Sequence, residues 1–278
     1  MALFSNSEPP ADELTLLAIG DVHLGTRPGS LPEDLHEQGV DPRALTPEAA
    51  LRTTVERAIE ARVDAVLFAG DVVESTNARL EAMRPLEAAV HSLLDAGIPV
   101  LGVAGNHDVE ALPRLADLIE GFELIGRDGR WQTRVIEKHG RPAVEILGWS
   151  FPERKVRSSP VAELLRNPIE RTHPARPPRI GLLHGDLDAP GGSYAPFSSR
   201  ELERADLDAW LLGHIHKPTL PQGPSPDGSE PRGYLGSLVG LDPSETGPHG
   251  PWLVRVSRAD EVVLQQLAIA PLRWERFE

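Results

Sequence analysis

Three short apolar runs, each closing on a glycine followed by polar ligand-type residues, constrain this chain more than any other feature. Leu14–Ile19 ends at Gly20-Asp21-Val22-His23, a run over 64–69 ends at Gly70-Asp71, and a run over 98–103 ends at Gly105-Asn106-His107-Asp108. Two segments with helical spacing separate them. Thr46-Pro47 opens the first, with Thr as N-cap and Pro at the first helical position. Its Ala50, Leu51, Val55, Ala58 and Ile59 fall on one face. The second covers 78–95 and stops before Gly97, a C-terminal signal. Strand–helix–strand–helix–strand predicts a parallel α/β sheet, and in such sheets sites form at the carboxyl ends of strands. All three polar motifs are placed there.

The remainder of the chain repeats the pattern less regularly. Strands are predicted near 131–136 and 143–149, then a Pro- and Arg-rich insertion over 152–178 with one short helix at 161–166. Runs at 180–183 and 209–212 deliver two further motifs, His184-Gly185-Asp186 and Gly213-His214-Ile215-His216. Segments 26–46 and 218–232 read as loops, and the tail as strands over Trp252–Val256 and 262–267.

Hard carboxylate and amide oxygens together with imidazole nitrogens are what a pair of divalent metals needs. Asp21 and His23 project the same way from an extended segment and can reach one metal. Asp71 can offer both carboxylate oxygens and bridge two. Asn106 adds a neutral oxygen, His184 completes the second site, and His214 and His216 serve one metal each. His107 is placed to be a proton donor, with Asp108 orienting it. Two metals about 3.5–4 Å apart activate a hydroxide and stabilise in-line phosphoryl displacement, so the chain reads as a phosphate-ester hydrolase.

Taken singly, each motif has an ordinary reading as a turn or a surface histidine. Five of the ten histidines, however, fall in these motifs, in order and at strand ends. The other five (His36, His91, His139, His173, His249) read as solvent-facing or core residues. No Walker-type phosphate loop or Gly-x-Ser-x-Gly elbow is present, which removes the ATPase and serine-hydrolase classes. There is no cysteine, hence no disulfide framework and no thiolate site. The net charge of -14 argues against a protein that coats nucleic acid. Charge is nevertheless uneven, since residues 127–179 hold 12 Lys/Arg against 6 Asp/Glu.

The five motifs resemble those of the calcineurin-like metallophosphoesterase superfamily. Asp21-Val22-His23-Leu24-Gly25, Pro196-Phe197, Gly213-His214-Ile215-His216-Lys217-Pro218 and Tyr234-Leu235-Gly236-Ser237 narrow the resemblance to the bacterial SbcD-type DNA-repair exonuclease family, over about residues 14–256. The resemblance implies an α/β fold of two facing mixed β-sheets flanked by helices, a four-layer sandwich. It implies one metal on Asp21, His23, Asp71 and His216, and another on Asp71, Asn106, His184 and His214. Manganese is the implied ion, with Mg2+, Fe2+, Zn2+ or Co2+ as alternatives, and His107 the implied general acid. DNA is the implied substrate and an SbcC-like SMC-type ATPase subunit the implied partner; a small-molecule phosphodiesterase or phosphatase on the same scaffold is the rival. Gly70-Asp71-Val72-Val73-Glu74 departs mildly from the family's Gly-Asp-x-Phe-Asp.

The expected organisation is a flexible N-terminus over 1–13 and one metallophosphoesterase domain over 14–278, with no C-terminal capping domain. Neither a signal peptide nor a membrane span is read in the sequence, so the expected location is the cytoplasm.

Overall fold

The apolar runs of the first half lie side by side as parallel strands. In the computed structural model these are β1 (Leu14–Ile19), β2 (Ala65–Ala69), β3 (Val100–Val103) and a short β4 (Phe122–Leu124). The structure describes residues 13–74, 79–171, 173–224, 228–257 and 261–276; positions 1–12 of the expected flexible N-terminus lie outside them. Two strands from the end of the chain complete this sheet. β10 (Trp252–Val256) pairs antiparallel with β1, and β11 (Val262–Gln266) with β10, giving the order β11-β10-β1-β2-β3-β4. Helices α1 (Pro47–Ala61) and α2 (Arg79–Asp95) make the crossovers, and a short α3 (Leu112–Leu118) follows β3. Thr46 caps α1 by accepting from Ala49 N, as its sequence position predicts.

The second sheet has the order β5-β6-β7-β8-β9. It comprises β5 (Gln132–Lys138), β6 (Arg141–Trp149), β7 (Arg179–His184), β8 (Ala209–Gly213) and β9 (Arg232–Tyr234). Only the β5–β6 pair is antiparallel. Segment 152–178 is the crossover from β6 to β7 and does not stand apart as a lobe. Its helix α4 (Pro160–Arg166) buries Val161 and Leu164 against the outer face of this sheet, beside α5 (Ser199–Arg204).

Alternation along the strands sorts residues into layers. Leu16, Ala18, Leu67 and Val103 face Ile146, Leu182 and Leu211 between the two sheets. Leu17, Ile19, Val66 and Phe68 turn the other way onto Leu51, Val55, Leu86 and Val90 of α1 and α2. Leu147, Trp149, Trp210 and Leu212 pack outward under α4 and α5. The result is helix–sheet–sheet–helix, the expected four layers. Strands buried on both faces appear in the sequence as unbroken apolar runs, as they do here. A buried ion pair braces the second sheet, with Arg179 Nε donating to Glu145 Oε2 at 2.6 Å. Among the described residues no helix is long and apolar enough to cross a membrane.

Candidate metal centre

The carboxyl ends of β1, β2 and β3 in one sheet meet those of β7 and β8 in the other, and every ligand-type residue singled out in the sequence arrives at this junction. Asp21 and His23 follow β1, Asp71 follows β2, and Asn106 and His107 follow β3; His184 ends β7, and His214 and His216 follow β8. Ligand atoms of Asp21, His23 and His216 lie within 4.8 Å of one another, as do those of Asp71, His184 and His214. Asn106 joins the second group through its Oδ1, 3.0 Å from His184 Nε2. Asp71 Oδ2 stands 3.2 Å from His184 Nε2 and 4.0 Å from His23 Nε2, so one carboxylate oxygen faces both groups.

Close approach of these loops requires two of the motif glycines. A Cβ at Gly105 would collide with the Asp71 carboxylate, and one at Gly213 would collide with the carbonyl of Ala69. The ligands themselves carry backbone strain. Asp21 (φ 35), His23 (φ 52), Asp71 (φ 49) and His214 (φ 109) all occupy positive-φ conformations that side-chain-bearing residues rarely adopt. Such outliers persist where the surrounding structure over-determines them, and they cluster at functional sites.

Each imidazole spends one ring nitrogen on a protein acceptor. His23 Nδ1 donates to Glu74 Oε2 at 2.8 Å, His216 Nδ1 to Glu245 Oε1 at 2.6 Å, and His184 Nδ1 to Ala69 O at 3.0 Å. His214 Nε2 donates to Asp186 Oδ1 at 3.0 Å. These partners fix the ring orientations, as they do in metal-ligating histidines, and for His23 and His216 they leave Nε2 as a lone-pair donor. Nε2 of His23 then faces Nε2 of His216 across 3.1 Å. Two lone pairs in that position call for a cation between them, so the donor set fits a divalent metal.

Burial raises the Asp21 carboxyl above its usual range. Burial also pushes Asp71 upward, but the charge and hydrogen bond of His184 outweigh it and hold Asp71 well below the ordinary carboxylate range. His184 responds in kind: burial opposes its charge, yet Asp71 and Asp21 lift it to about 9. His214, desolvated and facing His184, falls to about 4.

The His107 side chain is half-exposed at the mouth of the centre, where it forms a third group of candidate ligand atoms with His23 and Glu74, all within 4.8 Å of one another. Its partner is Glu74, whose Oε1 accepts from His107 Nδ1 at 2.9 Å and raises its pKa. Asp108 does not orient it. That carboxylate is wholly buried and accepts from Val72 N and Gly105 N, both at 2.7 Å. It clamps the loop after β2 to the loop after β3, while burial lifts its pKa to about 7. The sequence offers Glu74 only as a departure from a pattern and gives no role to Glu245 or Asp186.

The supporting shell extends through the Tyr-x-Gly-Ser segment. Tyr234 donates its hydroxyl to Gly185 O at 2.9 Å and accepts from Leu187 N at 2.7 Å, which holds the loop after His184. Ser237 N donates to His216 O at 2.9 Å. His249, buried, contacts Ser237 Oγ at 3.0 Å and the Glu245 carbonyl at 3.0 Å, so it is a satisfied core histidine as expected.

Residues 14–218 match the calcineurin-like phosphoesterase family. YhaO of Bacillus subtilis, an uncharacterized metallophosphoesterase, is 28% identical over 89% of this chain and 59% of its own length. The DNA double-strand break repair protein Mre11 of Aeropyrum pernix is 28% identical over 91% of this chain and 60% of its own. The chain thus spans about three-fifths of these relatives. Among solved structures, a dimetal phosphatase from Danio rerio superposes with a TM-score of 0.56 over 94% of this chain and 97% of that one, at 14% identity. An NAD nucleotidase of Haemophilus influenzae gives 0.50 over 91% of this chain and 49% of that one, also at 14%. At that identity the likeness is one of fold.

Proposed function

Since the chain belongs to the calcineurin-like phosphoesterase family and is a metal-dependent hydrolase of phosphate esters, we propose that it is a two-metal phosphodiesterase acting on DNA, of the DNA-repair exonuclease type. One observation carries the reading: the Asp21–His23–His216 and Asp71–His184–His214 groups of ligand atoms lie side by side, with Asp71 Oδ2 4.0 Å from His23 Nε2, beneath a half-exposed His107–Glu74 pair. Asp21, His23, Asp71 and His216 would hold one metal, and Asp71, Asn106, His184 and His214 the other. When bound, the metals supply Lewis-acid activation of water and of the phosphoryl oxygens. Manganese suits this mixture of carboxylate, amide and imidazole donors.

The protein's own contribution is positioning and proton transfer. Glu74 holds the His107 imidazole with Nε2 free and favours its protonated form, so His107 can donate a proton to the leaving oxygen. Asp186, Glu245 and the Ala69 carbonyl hold the remaining imidazoles in orientation. DNA as the substrate is supported by the relatives named for double-strand break repair, and an SbcC-like ATPase partner belongs to the same reading.

A small-molecule phosphodiesterase is the second reading, favoured by the net charge of -14, which opposes approach of a polyanion. Assays on a DNA oligonucleotide and on bis-p-nitrophenyl phosphate, with and without manganese, separate the two. Metal-dependent cleavage of both supports the nuclease. Turnover of the small ester with DNA left intact overturns it.

A further inference from the structure

The metal centre accounts for a scissile phosphate but not for a polymer around it. The basic segment 127–179 is the region with enough Lys/Arg to guide a DNA strand past an acidic surface, and the structure divides it. Arg127, Arg134, Lys138, Arg171 and Arg179 are each held by an acidic partner, Asp117, Glu123, Asp64, Asp206 and Glu145 respectively. Arg154, Lys155 and Arg157 are exposed and form no ion pair among the described residues. They share one loop, and that loop is built into the rim of the metal centre.

Both ends of the loop are pegged to elements that carry ligands. Before it, Ser150 Oγ accepts from Ala104 N at 2.9 Å and Phe151 N donates to Ala104 O at 3.1 Å, immediately ahead of Gly105-Asn106-His107. The Phe151 ring stands edge-on to His184 with centroids 5.8 Å apart. After it, Val156 N donates to Ser193 O at 3.0 Å and Val156 O accepts from Ala195 N at 2.7 Å. Between those two contacts Tyr194, partly exposed, tilts its ring against His214 at 5.2 Å. Phe151 and Val156 are buried whereas 152–155 are exposed, so the middle of the loop projects to solvent at the mouth of the centre.

We propose that Arg154, Lys155 and Arg157 form a phosphate-binding rim that holds the single strand flanking the scissile phosphodiester. The inference rests on the nuclease reading above and names where its polymer lies. An acidic protein repels a polyanion except where a local positive strip lowers the potential. Glu153 is the sole acid among 152–158, against three cations. Three exposed cations on one loop suit contact with one strand. Tyr194 adds an aromatic face of the kind on which bases stack, at little cost in sequence preference.

Counterion release supplies the test. Each phosphate contact to a single strand contributes a slope of about -0.7 to log K against log salt. Binding of a fluorescent oligothymidylate to the metal-loaded chain is measured by anisotropy across a salt series, in a His107→Asn background that slows cleavage. Replacing Arg154, Lys155 and Arg157 together by Ser should flatten the slope by about 2 units, three contacts at 0.7 each. Replacing the ion-paired Arg171 and Arg176 by Ser should leave it unchanged. A slope untouched by the triple replacement overturns the rim while the nuclease reading stands. Absence of any salt-dependent binding by the parent, with bis-p-nitrophenyl phosphate still hydrolysed, overturns the nuclease reading and the rim with it.

Discussion

The carboxylate of Glu74 links His107 to His23: Oε1 lies 2.9 Å from Nδ1 of His107 and Oε2 lies 2.8 Å from Nδ1 of His23. A side chain one methylene shorter would be hard pressed to reach both rings. Glutamine keeps the length but has only one acceptor oxygen, and its amide would face the second N–H. Glu74→Gln is therefore expected to lower turnover of esters with poor leaving groups by at least about tenfold, and also to lower metal content. His107→Asn should lower the same turnover by about 10²–10⁴-fold, the range for a general acid, while keeping the metals. If Glu74 acted through His107 alone, the double variant would match His107→Asn. We expect it to be worse. Kinetics with poor and good leaving groups, paired with elemental analysis, decide the matter.

Asp71 should be the most damaging single ligand to lose, because its Oδ2 faces both ligand groups. Chelation should abolish activity in the parent and added manganese should restore it. Asp71→Ala should not recover under the same addition. Retention of two metals per chain in this variant would refute the shared-carboxylate assignment.

Glu245 is expected to set the affinity of one group and spare the other. It accepts from His216 at 2.6 Å and from Leu241 N at 2.9 Å, far from the Asp71–His184–His214 cluster in role. Loss of such an outer partner typically costs 10–100-fold in metal affinity. Calorimetric titration of Glu245→Ala should show one weakened and one unaltered binding event. Equal weakening of both would point to collapse of the loop in place of a mis-set imidazole.

Asp108 should prove structural. Asp108→Ala strands the buried N–H groups of Val72 and Gly105, at about 1–3 kcal/mol for each. Chemical denaturation should report that loss. Asp108→Asn keeps one acceptor and should fall between. A variant with normal stability and no activity would return Asp108 to the chemistry.

What the sequence discloses and what it hides divide along sequence distance. Asp21, His23, Asp71, Asn106, His184, His214 and His216 were legible because each follows an apolar run, so strand and ligand identify one another. Glu245 was not, because its partner His216 lies 29 residues away and Asp242-Pro243-Ser244-Glu245 reads as an ordinary turn. Asp108 misled for the opposite reason. Adjacency to His107 suggests a contact, but both Asp108 oxygens are taken by the backbone N–H groups of Val72 and Gly105. Strands β4 and β9 and helices α3 and α5 escape the sequence reading because three to seven residues carry little measurable period. The antiparallel placement of β10 beside β1 depends on contacts across almost the whole chain.

Two of the candidate ligand groups draw from both sheets: Asp21 and His23 hang from one and His216 from the other, while Asp71 hangs from one and His184 and His214 from the other. A bound cation is thus a rivet through the two halves of the sandwich. Heat or denaturant cannot part the sheets at that end without expelling it, so the melting temperature becomes a gauge of free metal. Binding to the folded form alone adds about 4 kcal/mol when metal exceeds Kd a thousandfold. A cell short of metal would hold a protein that is not merely idle but easier to unfold and degrade, so that supply of the ion sets abundance as well as activity.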